Sequence, residues 1–129
     1  LPASAETVEK RLHYVDQDGQ AVFKFAVRRM GDISAELLAE CGIPSSEVKL
    51  MVPHQANIRI INSAAHRLGM KPEQVMINIE RYGNTTAGTI PLATRDAIAE
   101  GKLNKGDLVL FTAVGAGFTS AANLWRWAI

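Results

Sequence analysis

A chain of 129 residues, 47% of them hydrophobic and 21% charged, fits one domain with room for a real core, and that composition excludes disorder as an account of the whole. Fourteen Lys and Arg against 13 Asp and Glu leave a net charge of +1, which excludes a generally basic, duplex-coating protein while permitting a local basic patch for an acidic partner. The single cysteine, Cys41, excludes an intrachain disulfide framework and a four-cysteine zinc site, and a reducing compartment follows as the simplest setting.

Residues 1–11 read as an irregular entry or the tail of a helix. Leu12 to Val15 could form a short strand that turns at Asp16-Gln17-Asp18-Gly19. From Ala21 to Met30, Val22, Phe25, Ala26 and Met30 fall at helical spacing; Gly31 is expected to stop that helix and Asp32 to cap a second, with Ile33, Leu37, Leu38 and Cys41 on one face. Gly42-Ile43-Pro44 ends it. Val48 to Val52 is short and apolar and meets Pro53, the pattern of a buried strand emptying into a sharp corner.

Residues 56–68 predict a helix with Ile58, Ile61, Ala65 and Leu68 on one stripe and Arg59, Asn62, Ser63, His66 and Arg67 opposite. Gly69 supplies its C-cap, Lys71-Pro72 a turn, and Val75 to Ile79 the next strand. The small-residue stretch Thr85 to Thr89 leads to Pro91, after which Ala93, Ala97 and Ile98 support a helix that ends near Gly101. Leu108 to Val114 predicts a central strand covered on both sides, Gly115-Ala116-Gly117 a close bend, and Phe118 to Ile129 a last strand with Trp125, Trp127 and Ile129 alternating against Leu124 and Arg126. Such alternation of strands and helices argues for a layered α/β unit.

Two corners could carry chemistry: Pro53-His54-Gln55-Ala56-Asn57 and Tyr82-Gly83-Asn84-Thr85-Thr86, each expected at the C-terminal end of a strand, where open α/β sheets present ligand-binding groups. Imidazole can donate a hydrogen bond or exchange a proton near neutrality, and the Asn84 amide can donate without titrating. Together they could hold a thioester carbonyl oxygen as negative charge develops on it. A plainer reading leaves His54 as a helix cap and Asn84 as a turn residue beside Gly83.

His54-Gln55-Ala56-Asn57, the Gly83-Asn84-Thr85 corner 30 residues on, and Gly115-Ala116-Gly117-Phe118-Thr119 resemble, in that order, the C-terminal half of a beta-ketoacyl-acyl-carrier-protein synthase III, of the thiolase-like superfamily. The resemblance spans essentially the whole chain, Phe23 to Val27 included. It implies a thiolase-like C-terminal half, a layered mixed sheet with covering helices, joined in the family to a similar first half as a five-layered subunit that is usually a homodimer. It also implies that a cysteine of the first half takes an acyl group from a CoA thioester, while the residues matching His54 and Asn84 bind the thioester oxygen of malonyl on acyl carrier protein and promote decarboxylation. No bound cofactor is implied; acyl-CoA and the phosphopantetheine-linked malonyl thioester are substrates.

The nucleophile is missing from this half, and Cys41, expected as a small buried hydrophobe, does not replace it. This half alone is therefore expected to be inactive in condensation. Val114 stands where some family members have phenylalanine, and Ala116 lies within what is elsewhere a Gly-Gly-Gly run; its backbone amide could still serve an acyl-enzyme oxyanion hole. Arg59, His66 and Arg67 share a helix face on which the resemblance places the docking surface for acyl carrier protein, an acidic partner. Asn57 is expected toward the apolar side, ordering the site by hydrogen bonds.

Other readings are weaker. His13, His54, His66 and Cys41 have no compact metal-ligand spacing, so no metal site is expected. Gly115-Ala116-Gly117-Phe118 leads into a strand, not the helix a dinucleotide fold requires, and there is neither a basic tract nor an aromatic platform for nucleic acid. No apolar run reaches the 18 residues that span a bilayer and no secretory signal is visible, so the expectation is a cytoplasmic protein without a membrane span. The start at Leu1-Pro2, without methionine, suggests a piece of something larger. The competing functional readings are a stand-alone acyl-binding or dimerisation module without catalysis and half of a related polyketide starter synthase.

Overall fold

The computed structural model describes residues 1–14 and 16–129. Its frame is a three-stranded mixed sheet in the order β1 (Leu50–Pro53), β2 (Leu108–Gly115), β3 (Thr119–Arg126). β1 runs parallel to β2, pairing Leu50 with Val109 and Pro53 with Thr112, and β2 continues through a hairpin into antiparallel β3. The parallel pair is joined by a crossover holding α3 (Ile58–Arg67), α4 (Ile79–Tyr82) and α5 (Thr89–Ala99). Ahead of the sheet stand α1 (Ala5–Glu9) and α2 (Gly19–Glu40).

Because side chains alternate along a strand, the sheet feeds two cores. On one face Met51 and Leu110, with Ala122 and Leu124 beside them, pack against Ala26, Met30 and Leu38 of α2 and Ile61 and Ala64 of α3. On the other, Leu50, Val52 and Val109 pack against Ala93 and Ala97 of α5 and against Leu103. α5 covers the β1 side only, so Trp125 of β3, edge-on to Phe111 at 5.9 Å, remains exposed. The layered mixed sheet with covering helices is thus as expected, and β2 is its central strand. Among the described residues no helix is long and apolar enough to cross a membrane.

Several local expectations are corrected. Leu12 to Tyr14 form turn and bend, not strand, because Leu12 N donates to Thr7 O (2.8 Å) and prolongs the α1 turn; Val15 lies outside the described residues. Gly31 does not break the helix: α2 runs unbroken, with Ala26, Met30, Ser34 and Leu38 buried at every fourth position. The glycine is there for close approach, since a Cβ would sit 2.9 Å from Cβ and Cγ of Arg67 on α3. Cys41 is the exposed C-cap of that helix, beyond its buried face.

In α3 the buried stripe is Ile60, Ile61, Ala64 and Leu68, while Ile58 is exposed in the first turn and Ala65 only half-buried. Val75 to Ile79 contributes only a bridge, Met51 to Val75, and Ile79 opens α4. The strand stops because side chains claim its backbone: Gln55 binds Met76 O and Asn78 N. Ile98 is exposed and off the core face of α5. Phe118, Trp127 and Ile129 lie outside β3, which ends at Arg126, and Phe118 stacks on Phe25 with ring centroids 4.5 Å apart.

Candidate active site

His54 follows β1 at its C-terminal end, where its backbone N–H donates to Thr112 O of β2 (2.8 Å) and so continues the parallel ladder one residue beyond the strand. The next side chain fixes the corner. Gln55 is 1% exposed; its Nε2 donates to Pro53 O (2.9 Å) and Met76 O (3.0 Å), and its Oε1 accepts from Asn78 N (3.1 Å). Asn78 in turn donates from Nδ2 to Asp96 Oδ2 of α5 (3.0 Å). Every polar atom of the Gln55 amide is thereby engaged, as burial of such a group requires.

The His54 ring is half-buried, and burial pushes its pKa below the ordinary value, so the ring is neutral at neutral pH. Its Nδ1 lies 2.6 Å from Thr89 Oγ1, and Thr89 Oγ1 lies 3.1 Å from Thr86 O. Nδ1 is therefore spoken for, and Nε2 is the nitrogen left for another partner.

Asn84 is not at a strand end, as the sequence led one to expect; it follows α4, after Gly83 takes φ +65°. Its Oδ1 accepts from Thr86 N (3.0 Å), an Asx turn that holds Thr86 at φ +51°, an unusual backbone setting for a β-branched residue. Once Oδ1 is engaged, Nδ2 is the end of the Asn84 amide that can donate elsewhere.

These pieces meet at a cavity of about 940 Å³ whose lining includes His54, Asn57, Asn84, Thr89, Val114 and Ala116. Phe23, Phe25 and Ala26 from the first half of α2 close it on another side. Ala116 lies in the β2–β3 hairpin, where Gly117 has φ +139° and a Cβ would meet Thr119 Oγ1 at 2.7 Å. Asn57 is half-buried and caps α3, accepting from Arg59 N (2.9 Å).

Arg59, His66 and Arg67 are exposed and line no part of the cavity. Arg59 stands in the first turn of α3, near the capping Asn57. Arg67 lies about 12 Å further along the axis, donates to Asp32 (3.1 Å) and lays its stem against Gly31. Cys41 is about 22 Å of helix beyond Ala26, the last residue of α2 in the cavity lining. The cavity thus has donors for an oxygen but no thiol.

Sequence reasoning passed over Gln55, Asn78, Asp96 and Thr89. Gln55 had a visible signal, an amide directly beside a functional candidate; Thr89 had only its membership of a small-residue run.

The model of the 3-oxoacyl-[acyl-carrier-protein (ACP)] synthase III C-terminal family matches residues 38–127. The chain belongs to this family. It is 65% identical over 127 residues to the beta-ketoacyl-[acyl-carrier-protein] synthase III of Solibacter usitatus and 56% identical over 127 residues to that of Koribacter versatilis, covering in each case 98% of this chain and 38% of the relative. The crystal structure of 3-oxoacyl-[acyl-carrier-protein] synthase III from Aquifex aeolicus superposes with a TM-score of 0.86 at 46% identity, over 90% of this chain and 38% of that one. The thiolase-like synthase fold is therefore established, and the chain spans 38% of the length of the curated relatives named here.

Proposed function

We propose that this chain is the C-terminal catalytic half of a longer, two-half beta-ketoacyl-acyl-carrier-protein synthase III, which condenses a short acyl-CoA starter with malonyl-acyl-carrier-protein at the initiation of fatty-acid synthesis. The observation that carries the reading is the convergence of His54, Asn84 and the Ala116 turn, from three separate segments, on one cavity.

In the decarboxylation, the bond between the malonyl carboxylate and its α-carbon breaks. Carbon dioxide leaves, and the electron pair is delocalised onto the thioester oxygen as an enolate. His54 Nε2–H and Asn84 Nδ2–H are the donors for that oxygen; fixed in advance, they stabilise the charge without reorganising. The α-carbon then attacks the acyl carbon of the acyl-cysteine supplied by the other half, whose oxygen the Ala116 backbone amide would serve; as the carbon–carbon bond forms, the acyl–sulfur bond breaks and the cysteine leaves as thiolate. Val114, half-buried in the cavity wall, would help set the size of starter accepted. Arg59, exposed in the first turn of α3, is the docking residue for acidic acyl carrier protein, with His66 two turns further along the same side and Arg67, paired with Asp32, at its edge. The assembly is read as a cytoplasmic homodimer without a bound cofactor.

In the full-length synthase His54→Ala should lower malonyl-thioester decarboxylation by about 100-fold or more, the scale for losing an oxyanion donor, while cysteine acylation falls much less. Equal loss of both half-reactions with folding unchanged would overturn the assignment.

A further inference from the structure

The work proposed for His54 depends on which ring nitrogen carries the hydrogen, and one neighbour controls that. A neutral imidazole has a single N–H, and only the form with hydrogen on Nε2 can donate to a thioester oxygen from a ring whose Nδ1 faces Thr89. The Thr89 hydroxyl also has a single proton and two acceptors within reach, His54 Nδ1 at 2.6 Å and Thr86 O at 3.1 Å.

The two acceptors differ in distance and in basicity. Nδ1 lies 0.5 Å nearer the hydroxyl oxygen than Thr86 O does, 2.6 against 3.1 Å, and 3.1 Å is past the usual range of about 2.5–3.0 Å for a hydroxyl donating to an oxygen. A neutral imidazole nitrogen is also a stronger base than a peptide carbonyl, so Nδ1 is the better acceptor for the single hydroxyl proton. Thr89 itself is 2% exposed, so water does not compete for its hydroxyl. Its backbone opens α5 and is anchored by the core on that side of the sheet, which makes the hydroxyl a fixed partner.

We infer that Thr89 is a positioning residue that donates its hydroxyl proton to His54 Nδ1 and so holds the ring in the Nε2–H form required to bind the thioester oxygen. The inference rests on the proposed role of His54 for its catalytic consequence, although the hydrogen-bond direction stands without it. Thr89 touches no reacting atom; it acts through the ring. The Thr86 carbonyl is the competing acceptor, and a hydroxyl turned toward it would accept from Nδ1–H and leave Nε2 bare.

The test uses the full-length synthase labelled with nitrogen-15 in histidine, with the His54 signals identified by their loss in His54→Gln. Nitrogen-15 chemical shifts and couplings to ring hydrogens at neutral pH report the tautomer directly. Wild type should show hydrogen on Nε2, Thr89→Val should move it wholly or partly to Nδ1, and Thr89→Ser should restore it. In parallel, kcat for malonyl-acyl-carrier-protein decarboxylation should fall about tenfold in Thr89→Val, the size of one hydrogen bond lost in the transition state, with KM little changed and recovery in Thr89→Ser. A wild-type ring with hydrogen on Nδ1 overturns the inference and needs no variant to fold. So does a Thr89→Val enzyme that keeps both tautomer and kcat. The expected tautomers combined with full decarboxylation by His54→Ala would instead refute the proposed function while leaving the hydrogen-bond assignment intact.

Discussion

The corner after β1 and the corner after α4 both deliver a side chain to the cavity, but they are held in different ways. The first is built into the core: His54 extends the β1–β2 ladder, and Gln55, with no exposed surface to spare, ties Pro53, Met76 and Asn78 together. The second is held largely by itself: Asn84 is exposed, and its side chain closes a turn on Thr86 two residues away. Placement of the histidine is thus a matter of global stability, whereas placement of the asparagine is a matter of local chain geometry.

The widest expected separation between the two corners comes from removing an amide at each. Gln55→Ala should cost about 3 kcal/mol in denaturant unfolding of the full-length synthase, because two carbonyls and one N–H are left buried without partners. Asn84→Ala should cost less than about 1 kcal/mol and still lower decarboxylation sharply. Comparable stability losses for the two would break the distinction.

A smaller effect is expected where α2 supports α3, the helix that leaves the His54 corner. Gly31→Val should cost about 2 kcal/mol through overpacking against Arg67, by the same unfolding measurement. A neutral result would show that the two helices can part without consequence, and the core would then have less hold on the corner than its contacts suggest.

Asp96, like Thr89, bears on both corners. Its carboxylate accepts from Asn78, and also from Arg95 and from Tyr82, which stands just before Gly83; these bonds, that of Asn78 first, hold its pKa at about 2. A carboxyl lowered on folding contributes stability above its unfolded value, here near 3.8, and loses it as pH falls toward the folded value. Unfolding followed from pH 4.5 to 2 should therefore show a downward limb that flattens in Asp96→Asn. Identical slopes in the two proteins would remove Asp96 as a link between the corners.

Both corners are legible in the sequence because turn chemistry is local: Pro53 ahead of His54, and Gly83 ahead of Asn84, mark them without any knowledge of the fold. The strand pair Leu50–Pro53 and Leu108–Gly115 is legible for the same kind of reason, short apolar runs ended by proline or glycine. What fails is whatever depends on a distant partner. Gly31 reads as a breaker because its cost to a helix is visible in one dimension, while the approach of Arg67 that requires it is not. The strand expected at Val75 to Ile79 is lost to hydrogen bonds from Gln55, more than twenty positions away. Cys41 falls one position beyond the helix whose face it was expected to share, and Thr89 gains meaning only from a ring 35 positions earlier.

The Gln55 amide carries one more consequence, on the timescale of chemical ageing. Hydrolysis of that side chain to a carboxylate would alter neither its length nor its shape, yet it would set an oxygen where Nε2 now faces the carbonyls of Pro53 and Met76. Two attractions would become two repulsions beside His54. The burial that makes this amide so costly to remove also keeps water from reaching it, so the lifetime of the corner and the position of its histidine are guarded by the same few atoms.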